Sequence, residues 1–281
     1  MKIKINTRLS TDLIRVVPVS KTEWEFEFPR LDGRVDDVLY SAIDTLEAGD
    51  RNEAAKEFEL LIEGFPEFLD AYHHLAMAYD EMGKHDQALG LWQAAAEIGK
   101  NAFPASFNRG RHRLPWANLE NRQFLRVYHA WGLELLNARI TDGALEVFTE
   151  MLSMNPNDNQ GIRSLAIDCY FRLGKPEKVV SLCKRYRGDT MEQVLYGRPL
   201  ALFQLRKIED AKAALEIAIN CLPNVASELL KKTHRPPAGL NPQYVTVGGA
   251  DQAFYYWKDH GQYWKMTEGA LEFVSSVLRR K

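Results

Sequence analysis

A group of three positions recurs along this chain and constrains its fold more than any other feature of the sequence. An alanine lies twelve residues before a proline, and a large apolar residue lies eight residues before the same proline. The recurring positions are Ala54, Phe58 and Pro66; Ala144, Phe148 and Pro156; and Ala211, Leu215 and Pro223. Thirty-four residues after Ala54 and Phe58 come Ala88 and Trp92, without a proline. Repetition at this interval predicts one supersecondary unit built several times.

The composition allows a large folded core and gives no global sign of a nucleic-acid or membrane partner. The chain has 281 residues, of which 46% are hydrophobic, and a net charge of −2. Such a length suits one elongated array or two ordinary domains. The charges are unevenly placed, because residues 36–97 carry three Lys/Arg against fifteen Asp/Glu. This asymmetry bears on how a partner is met rather than on the fold.

The cysteines and the start of the chain indicate a compartment. Cys169, Cys183 and Cys221 are far apart and form no C-x-x-C pair, so we expect three small buried side chains in a reducing environment. The first residues contain no apolar leader segment, and no apolar run approaches the length of a membrane span. We therefore expect a soluble cytoplasmic protein with no membrane partner.

Residues 1–34 differ in kind from the rest, because their apolar residues alternate with polar ones. Lys2 to Ile5 alternates, and Glu23 to Phe28 places Trp24, Phe26 and Phe28 on one face. A period of two predicts half-buried strands. We expect a small β-hairpin that covers the first helix pair, and the alternative is a strand edge that binds a partner.

From about residue 35 the apolar period becomes helical, and the second unit, residues 69–102, is the most regular. Its large, small and turn residues fall in the order of a tetratricopeptide (TPR) repeat, namely Tyr72, Leu75, Ala76, Tyr79, Gly83, Ala88, Trp92 and Ala95. Small residues let two antiparallel helices approach closely, and large ones fill the space between successive pairs. The units therefore resemble TPR repeats. This resemblance implies an all-α solenoid, a right-handed superhelix of antiparallel helix pairs.

The spacing of the repeats gives the expected domain organisation. Ala88 and Ala144 are 56 residues apart, 22 more than one repeat. We therefore predict units 1 and 2 over residues 35–102, an insertion loop over 103–124, and units 3 to 5 over 125–223. Val179 and Cys183 take the alanine and aromatic positions of the irregular fourth unit. Residues 224–281 are expected to be capping helices, interrupted at Gly261, with the apolar end covered by Phe254, Tyr255, Trp257, Tyr263 and Trp264.

No catalytic motif is visible. The chain contains no G-x-S-x-G, no G-x-x-x-x-G-K-[ST] and no H-E-x-x-H, and these are the spacings that nucleophile, phosphate and zinc chemistry require. The adjacent His73 and His74 point to different parts of a helix surface, so they suit one metal ion poorly. We predict a protein that is not an enzyme and that uses no cofactor or metal. A site assembled from His129, Asp168 and Arg163 is the remaining enzymatic alternative.

The TPR resemblance implies a concave groove lined by the first helix of each pair. The corresponding residues are His73, Met77, Asp80 and Glu81 from the second unit, Arg126, His129, Leu133 and Asn137 from the third, and Arg163, Ile167, Tyr170 and Phe171 from the fourth. This lining runs from acidic to basic and aromatic, which suits an extended peptide with apolar anchors. We predict a scaffold or adaptor that binds a protein or peptide there; the alternative is that these positions only keep the surface soluble.

The insertion is basic, and it supplies a second candidate surface. Its notable residues are Arg109, Arg111, Arg113, Trp116 and Arg122. Arginines beside a tryptophan can hold phosphates and stack on a base, so nucleic-acid or phosphate binding is the alternative function, although a less favoured one. The structural alternative is a solvated loop or an intramolecular partner for the acidic half of the chain.

A closer resemblance concerns three segments, Leu114–Arg126, Asn155–Arg163 and Tyr256–Leu271. They look like a group of bacterial TPR proteins without an assigned activity. The resemblance implies a bacterial cytoplasmic TPR protein. It names neither a partner nor an oligomeric state.

Overall fold

The computed structural model describes residues 13–29, 33–241 and 244–279. Within them lie two strands and thirteen helices: β1 Arg15–Pro18, β2 Trp24–Glu27, α1 Gly33–Glu47, α2 Arg51–Gly64, α3 Leu69–Glu81, α4 His85–Asn101, α5 Leu119–Asn137, α6 Thr141–Met154, α7 Ile162–Arg172, α8 Pro176–Arg185, α9 Glu192–Gln204, α10 Ile208–Cys221, α11 Pro223–Leu229, α12 Ala250–Met266 and α13 Ala270–Leu278. The alternation predicted at Lys2 to Ile5 lies outside the described residues. The chain divides into two compact units, residues 1–162 and 163–281.

The predicted fold class, an all-α TPR-type solenoid with a short N-terminal β extension and C-terminal capping helices, is confirmed. In unit 1 the pairs are α1 with α2, α3 with α4, and α5 with α6, and α2 and α4 also contact the pair that follows. In unit 2, α8 packs on α9 and α9 packs on α10. Ile167 of α7 joins Val179 and Cys183 of α8 in one core cluster with residues of α9.

The positions that carry the sequence period are buried throughout. Each of the five small positions and each of the five large positions belongs to the core, namely Ala54, Phe58, Ala88, Trp92, Ala144, Phe148, Val179, Cys183, Ala211 and Leu215. Burial of a large apolar side chain stabilises a fold by about 1.5–3 kcal/mol. The repeat in the sequence is therefore a repeat of core contacts.

The turn inside each of the five helix pairs contains one residue with positive φ. Glycine occupies this position in three pairs, at Gly49, Gly83 and Gly174. Arginine occupies it in the other two, at Arg139 with φ 63° and Arg206 with φ 59°. The left-handed region is costly for a residue with a Cβ atom. We therefore infer that the two flanking helices hold Arg139 and Arg206 in this backbone conformation.

The C-terminal helices cover the end of unit 2, with two departures from the sequence prediction. α12 continues through Gly261, since the glycine lets the ring of Trp257 lie against the helix backbone; an added Cβ would stand 2.4 Å from that ring. Trp264 is fully buried and donates its indole N–H to Tyr256 Oη at 3.0 Å. Tyr256 is buried, whereas Phe254 and Tyr255 are only half-buried, so the expected cap residues were partly wrong.

The cysteine prediction is also partly wrong. Cys169 and Cys183 are buried thiols, as expected, and burial raises the pKa of Cys183 to about 12. Cys221, the last residue of α10, is exposed.

Gly132 controls how closely α5 approaches α6. A Cβ atom at this position would stand 2.6 Å from the Phe148 ring and 2.9 Å from a Val147 methyl group. We predict that Gly132→Ala lowers the free energy of unfolding by about 1–3 kcal/mol through overpacking. Gly90 of α4 is the matched control, since a Cβ added there would meet no atom within 4 Å. Gly90→Ala should raise stability by up to about 1 kcal/mol through helix propensity. Denaturant unfolding measures both, and equal effects would contradict the account.

Candidate functional site

The first helices of successive pairs are neighbours in unit 1, as a groove requires. α3 contacts both α1 and α5. The eight groove residues predicted from the second and third repeats therefore lie on two adjacent helices, which we call the α3–α5 face. The four predicted from the fourth repeat lie on α7 and belong to unit 2.

Arg126 does not give the α3–α5 face a basic character. Its Nη2 lies 2.7 Å from both carboxylate oxygens of Asp70, a buried residue at the start of α3. The Nε of Arg126 is also buried and has no hydrogen-bond partner. A charge paired in this way is neutralised where it stands. The prediction that the groove lining changes from acidic to basic is therefore wrong for the part of the groove that lies in unit 1.

The histidines of this face are held neutral. Burial, with contributions from His74, Arg126 and His129, lowers the pKa of His73 to about 3. Burial likewise lowers the pKa of His129. His73 Nδ1 accepts a hydrogen bond of 3.2 Å from the indole N–H of Trp92. His73 thus links α3 to α4 and offers little charge to a ligand.

The far end of the α3–α5 face is more open. Met77 is 36% exposed, and one turn further along α3 the side chain of Asp80 borders a cavity of about 440 Å³. The other lining residues are His85, Asp86, Leu89, Glu134, Asn137 and Ala138. Asp80 pairs with His85 at 2.6 Å, and Glu81 pairs with Arg51 at 2.7 Å. Leu133 is half-buried.

In unit 2 most predicted groove residues are occupied by contacts within the unit. Ile167 is 1% exposed and belongs to the core, so its assignment to the groove was wrong. Arg163 pairs with Asp189, and the Phe171 ring stacks on Tyr263 at 5.1 Å. Tyr170 is half-buried. Of the four residues, Tyr170 is the one whose side chain these contacts leave for a ligand.

The enzymatic alternative finds no support in unit 2. Asp168 accepts hydrogen bonds from Arg172 at 2.7 Å and from Tyr263 at 2.6 Å. Arg163 is engaged elsewhere, with Asp189. The two residues therefore serve separate ion pairs. Among the residues that the structure describes, no group of three or more His, Cys, Asp or Glu side chains could hold a metal ion.

The basic insertion is an ordered connection that pairs with the N-terminal hairpin. The Trp24 N–H donates to the carbonyl of Arg113 at 2.9 Å, and the Arg113 N–H donates to the carbonyl of Thr22 at 2.7 Å. The ring of His112 stacks on Trp24 with 5.0 Å between centroids. Leu114 is fully buried. The insertion thus behaves as an additional edge segment of the hairpin.

The arginines of the insertion are largely used inside the protein. Arg113 donates to the carbonyl of Ser153 at 3.0 Å, and Arg109 lies 3.4 Å from Glu150. Arg122 stacks over the Trp116 ring at 5.1 Å and donates to the Trp116 carbonyl at 2.9 Å. Arg111 is exposed. Because Arg122 lies over the Trp116 ring, one face of this ring is occupied and cannot take the predicted stacking contact with a base.

Helix α5 begins at Leu119, so the last residues assigned to the insertion are helical. The early start has a physical reason in Asn121, which is fully buried. Its side-chain oxygen accepts from the Phe26 N–H at 3.0 Å, and its Nδ2 donates to the carbonyls of Trp24 at 3.2 Å and Pro115 at 3.0 Å. One side chain joins hairpin, insertion and helix.

These contacts change the interpretation of the hairpin. β1 and β2 pair antiparallel, with Val16 opposite Phe26. The outward N–H of Val16 donates to the Ala102 carbonyl at 3.0 Å, and those of Trp24 and Phe26 are bonded as described above. The hairpin therefore contacts the end of α4, the insertion and α5, and its cover of the first helix pair stays a prediction. A strand-edge partner site is not supported, since the outward donors are satisfied.

The fold and the candidate faces define a helical repeat protein of the TPR type. A family model described as Tcf25, transcriptional repressor TCF25, matches residues 46–247. The chain therefore belongs to the Tcf25 family, which the sequence motifs had not indicated. No curated protein matches the chain.

Solved structures support the fold. A tetratricopeptide repeat protein from Parabacteroides merdae ATCC 43184 is 11% identical, with 88% of this chain and 80% of that chain covered and a TM-score of 0.51. The MamA RS-1 ArsTM double mutant is also 11% identical, with 68% and 96% covered and a TM-score of 0.51. No helix among the described residues is long and apolar enough to cross a bilayer. The cytoplasmic and bacterial assignments stay predictions.

Protonation of His73 should destabilise unit 1. The pKa of this histidine is about 3 in the folded state and about 6.5 in the unfolded state, so the unfolded state binds more protons between these values. Stability is therefore lost as the pH falls through this window. When the pH falls from 7.5 to 5.5, we predict that the free energy of unfolding of His73→Gln decreases by about 1 kcal/mol less than that of the wild type. The glutamine can still accept the hydrogen bond from Trp92. Denaturant titration at both pH values tests this, and parallel losses would contradict it.

Loss of the Asn121 side chain should loosen the hairpin and the insertion together. Asn121→Ala leaves a buried N–H and two carbonyl groups without their partner, so we predict a loss of about 2–4 kcal/mol in the free energy of unfolding. Asn137→Ala, at the exposed end of the same helix, is the matched control and should cost less than about 0.5 kcal/mol. Hydrogen exchange at Trp24 and Phe26 should rise in the first variant alone. Unchanged exchange there would show that Asn121 does not hold the hairpin.

Proposed function

We propose that this chain is a non-enzymatic protein-interaction scaffold and that its α3–α5 face binds a peptide or helix from a partner protein. The observation that carries the proposal is the surface at the far end of that face, where exposed Met77 lies one helical turn before Asp80, which borders a cavity together with Leu89 and other acidic groups. An apolar anchor beside a small set of polar groups is typical of helix- and peptide-binding grooves.

The burial of the histidines divides the proposed face into two parts. The part around His73 and Arg126 is neutral and packed, so it serves the fold more than recognition. The part around Met77, Asp80 and Asn137 is accessible and has net negative charge. A ligand with an apolar side chain opposite Met77 and without acidic residues near Glu134 fits this arrangement.

The family description mentions transcriptional repression. A role in such a process would rest on protein contacts in this proposal, because three of the four insertion arginines are engaged with Glu150, Ser153 and Trp116. Nucleic-acid binding through the insertion would leave a strong salt dependence in a filter assay.

Peptides selected from a random display library against the full chain test the groove. We predict that Met77→Lys weakens the binding of the selected peptides by at least about tenfold, because a charge replaces the apolar anchor. A factor of ten in affinity corresponds to about 1.4 kcal/mol. Leu60→Lys is the matched control, because Leu60 is also an exposed apolar residue, 57% exposed, on the neighbouring helix α2. Calorimetric titration measures both variants. Equal affinity of Met77→Lys and wild type would place the binding surface elsewhere.

A further inference from the structure

A cavity of about 800 Å³ lies in unit 1, apart from the α3–α5 face. Four parts of the chain line it: the hairpin, the start of α1, the connection between α2 and α3, and the first turns of α5. Its apolar walls are formed by Phe26, Phe28, Pro29, Phe65, Pro66 and Phe68. The rings of Phe26 and Phe28 stack with 5.8 Å between centroids. We call this space the hairpin cavity.

The rim of the hairpin cavity is acidic. Five carboxylates line it, namely Glu25, Glu27, Asp36, Glu67 and Glu120, and no Lys, Arg or His stands among its described lining residues. Glu27 pairs with Arg15 at 2.8 Å, and both side chains are exposed. Glu67 accepts from the Ile14 N–H at 2.6 Å, and Glu25 accepts from Asn118 Nδ2 at 3.3 Å. The donors to Glu67 and Glu25 are uncharged, so these two hydrogen bonds leave the negative charge of both carboxylates in place.

Gln123, which is half-buried, also lines the hairpin cavity and adds one uncharged polar side chain to its wall.

A second cavity of about 560 Å³ lies beside the hairpin cavity, and Leu13, Glu27, Phe28 and Pro29 line both. The second cavity is also lined by Arg15. Two neighbouring spaces along the hairpin suit an extended chain better than a compact small molecule.

We propose that the hairpin cavity binds an extended basic segment of a partner protein. Lysine or arginine side chains of that segment meet the carboxylate rim, and an apolar side chain packs against the phenylalanine rings that line the cavity. Cations are also attracted to the faces of aromatic rings, which line this cavity. An acidic or phosphorylated ligand would be repelled by the same rim.

The test uses a defined probe, a fluorescein-labelled decapeptide with four lysines around a central phenylalanine. A matched peptide carries glutamate at the four lysine positions. Anisotropy with the full chain should show at least about tenfold tighter binding of the lysine peptide at low salt, and weaker binding as added salt screens the rim. Equal affinity for both peptides, or no binding, would overturn the proposal.

A charge-matched pair of variants locates the binding. Asp36→Asn with Glu120→Gln removes two exposed rim charges, and we expect about fivefold weaker binding of the lysine peptide. Glu209→Gln with Asp210→Asn removes two exposed charges from α10 in unit 2 and should change binding less than about twofold. Equal weakening by both pairs would mean that only net charge attracts the peptide, and the proposal would be wrong.

The proposal for the hairpin cavity and the proposal for the α3–α5 face can be tested separately. The Met77→Lys variant should bind the lysine peptide like the wild type, because Met77 does not line the hairpin cavity. Carbodiimide coupling should join peptide lysines to Asp36 or Glu120. Coupling to Asp80 or Glu134 instead, with binding lost in Met77→Lys, would assign the peptide to the α3–α5 face and overturn the inference.

Discussion

The close approach of two helices at small residues is the constraint on which the rest of the structure depends. Ala54, Ala88, Ala144 and Ala211 are fully buried, and Gly132 brings α5 against Phe148. Each pair then presents a face of large side chains that only another pair can cover. The turns obey the same constraint, since even Arg139 and Arg206 accept positive φ there. When such pairs stack, the first helix of one pair lies beside the first helix of the next. The α3–α5 face is formed in this way.

The insertion between the second and third helix pairs has a structural role, because it holds the hairpin in place. Asn121 and the backbone of Arg113 tie the insertion to the hairpin, so two irregular segments complete each other. Asn121 and the Arg113 carbonyl satisfy the outward donors of β2, and the Ala102 carbonyl accepts from Val16 of β1. Three of the four arginines of the insertion are engaged by other groups of the protein. The hairpin, the start of α1, the connection between α2 and α3, and α5 together form the walls of the hairpin cavity. The irregular part of the chain therefore lines the cavity in which we propose that a partner segment binds.

Whether a charged side chain can act on a partner depends on the groups that surround it in the fold. Arg126 was predicted to offer a basic contact, and it is neutralised by Asp70 on the adjacent helix. His73 and His129 were predicted to face a ligand, and burial keeps both uncharged. By contrast, Glu25, Glu67 and Glu120 carried no motif, and the fold assembles them around one cavity. A charge acts on a partner only where the surrounding groups leave it unpaired.

The sequence by itself determined the period, the five helix pairs, the buried small and large positions and the strand at Trp24 to Glu27, because spacing alone places residues on one face of a helix or strand. It could not show that α12 passes Gly261, that Ile167 is core, or that Trp116 is covered by Arg122. Only the tertiary structure decided these, since they depend on contacts between residues far apart in sequence. The pairing of Phe26 with Asn121, 95 residues away, is the clearest case.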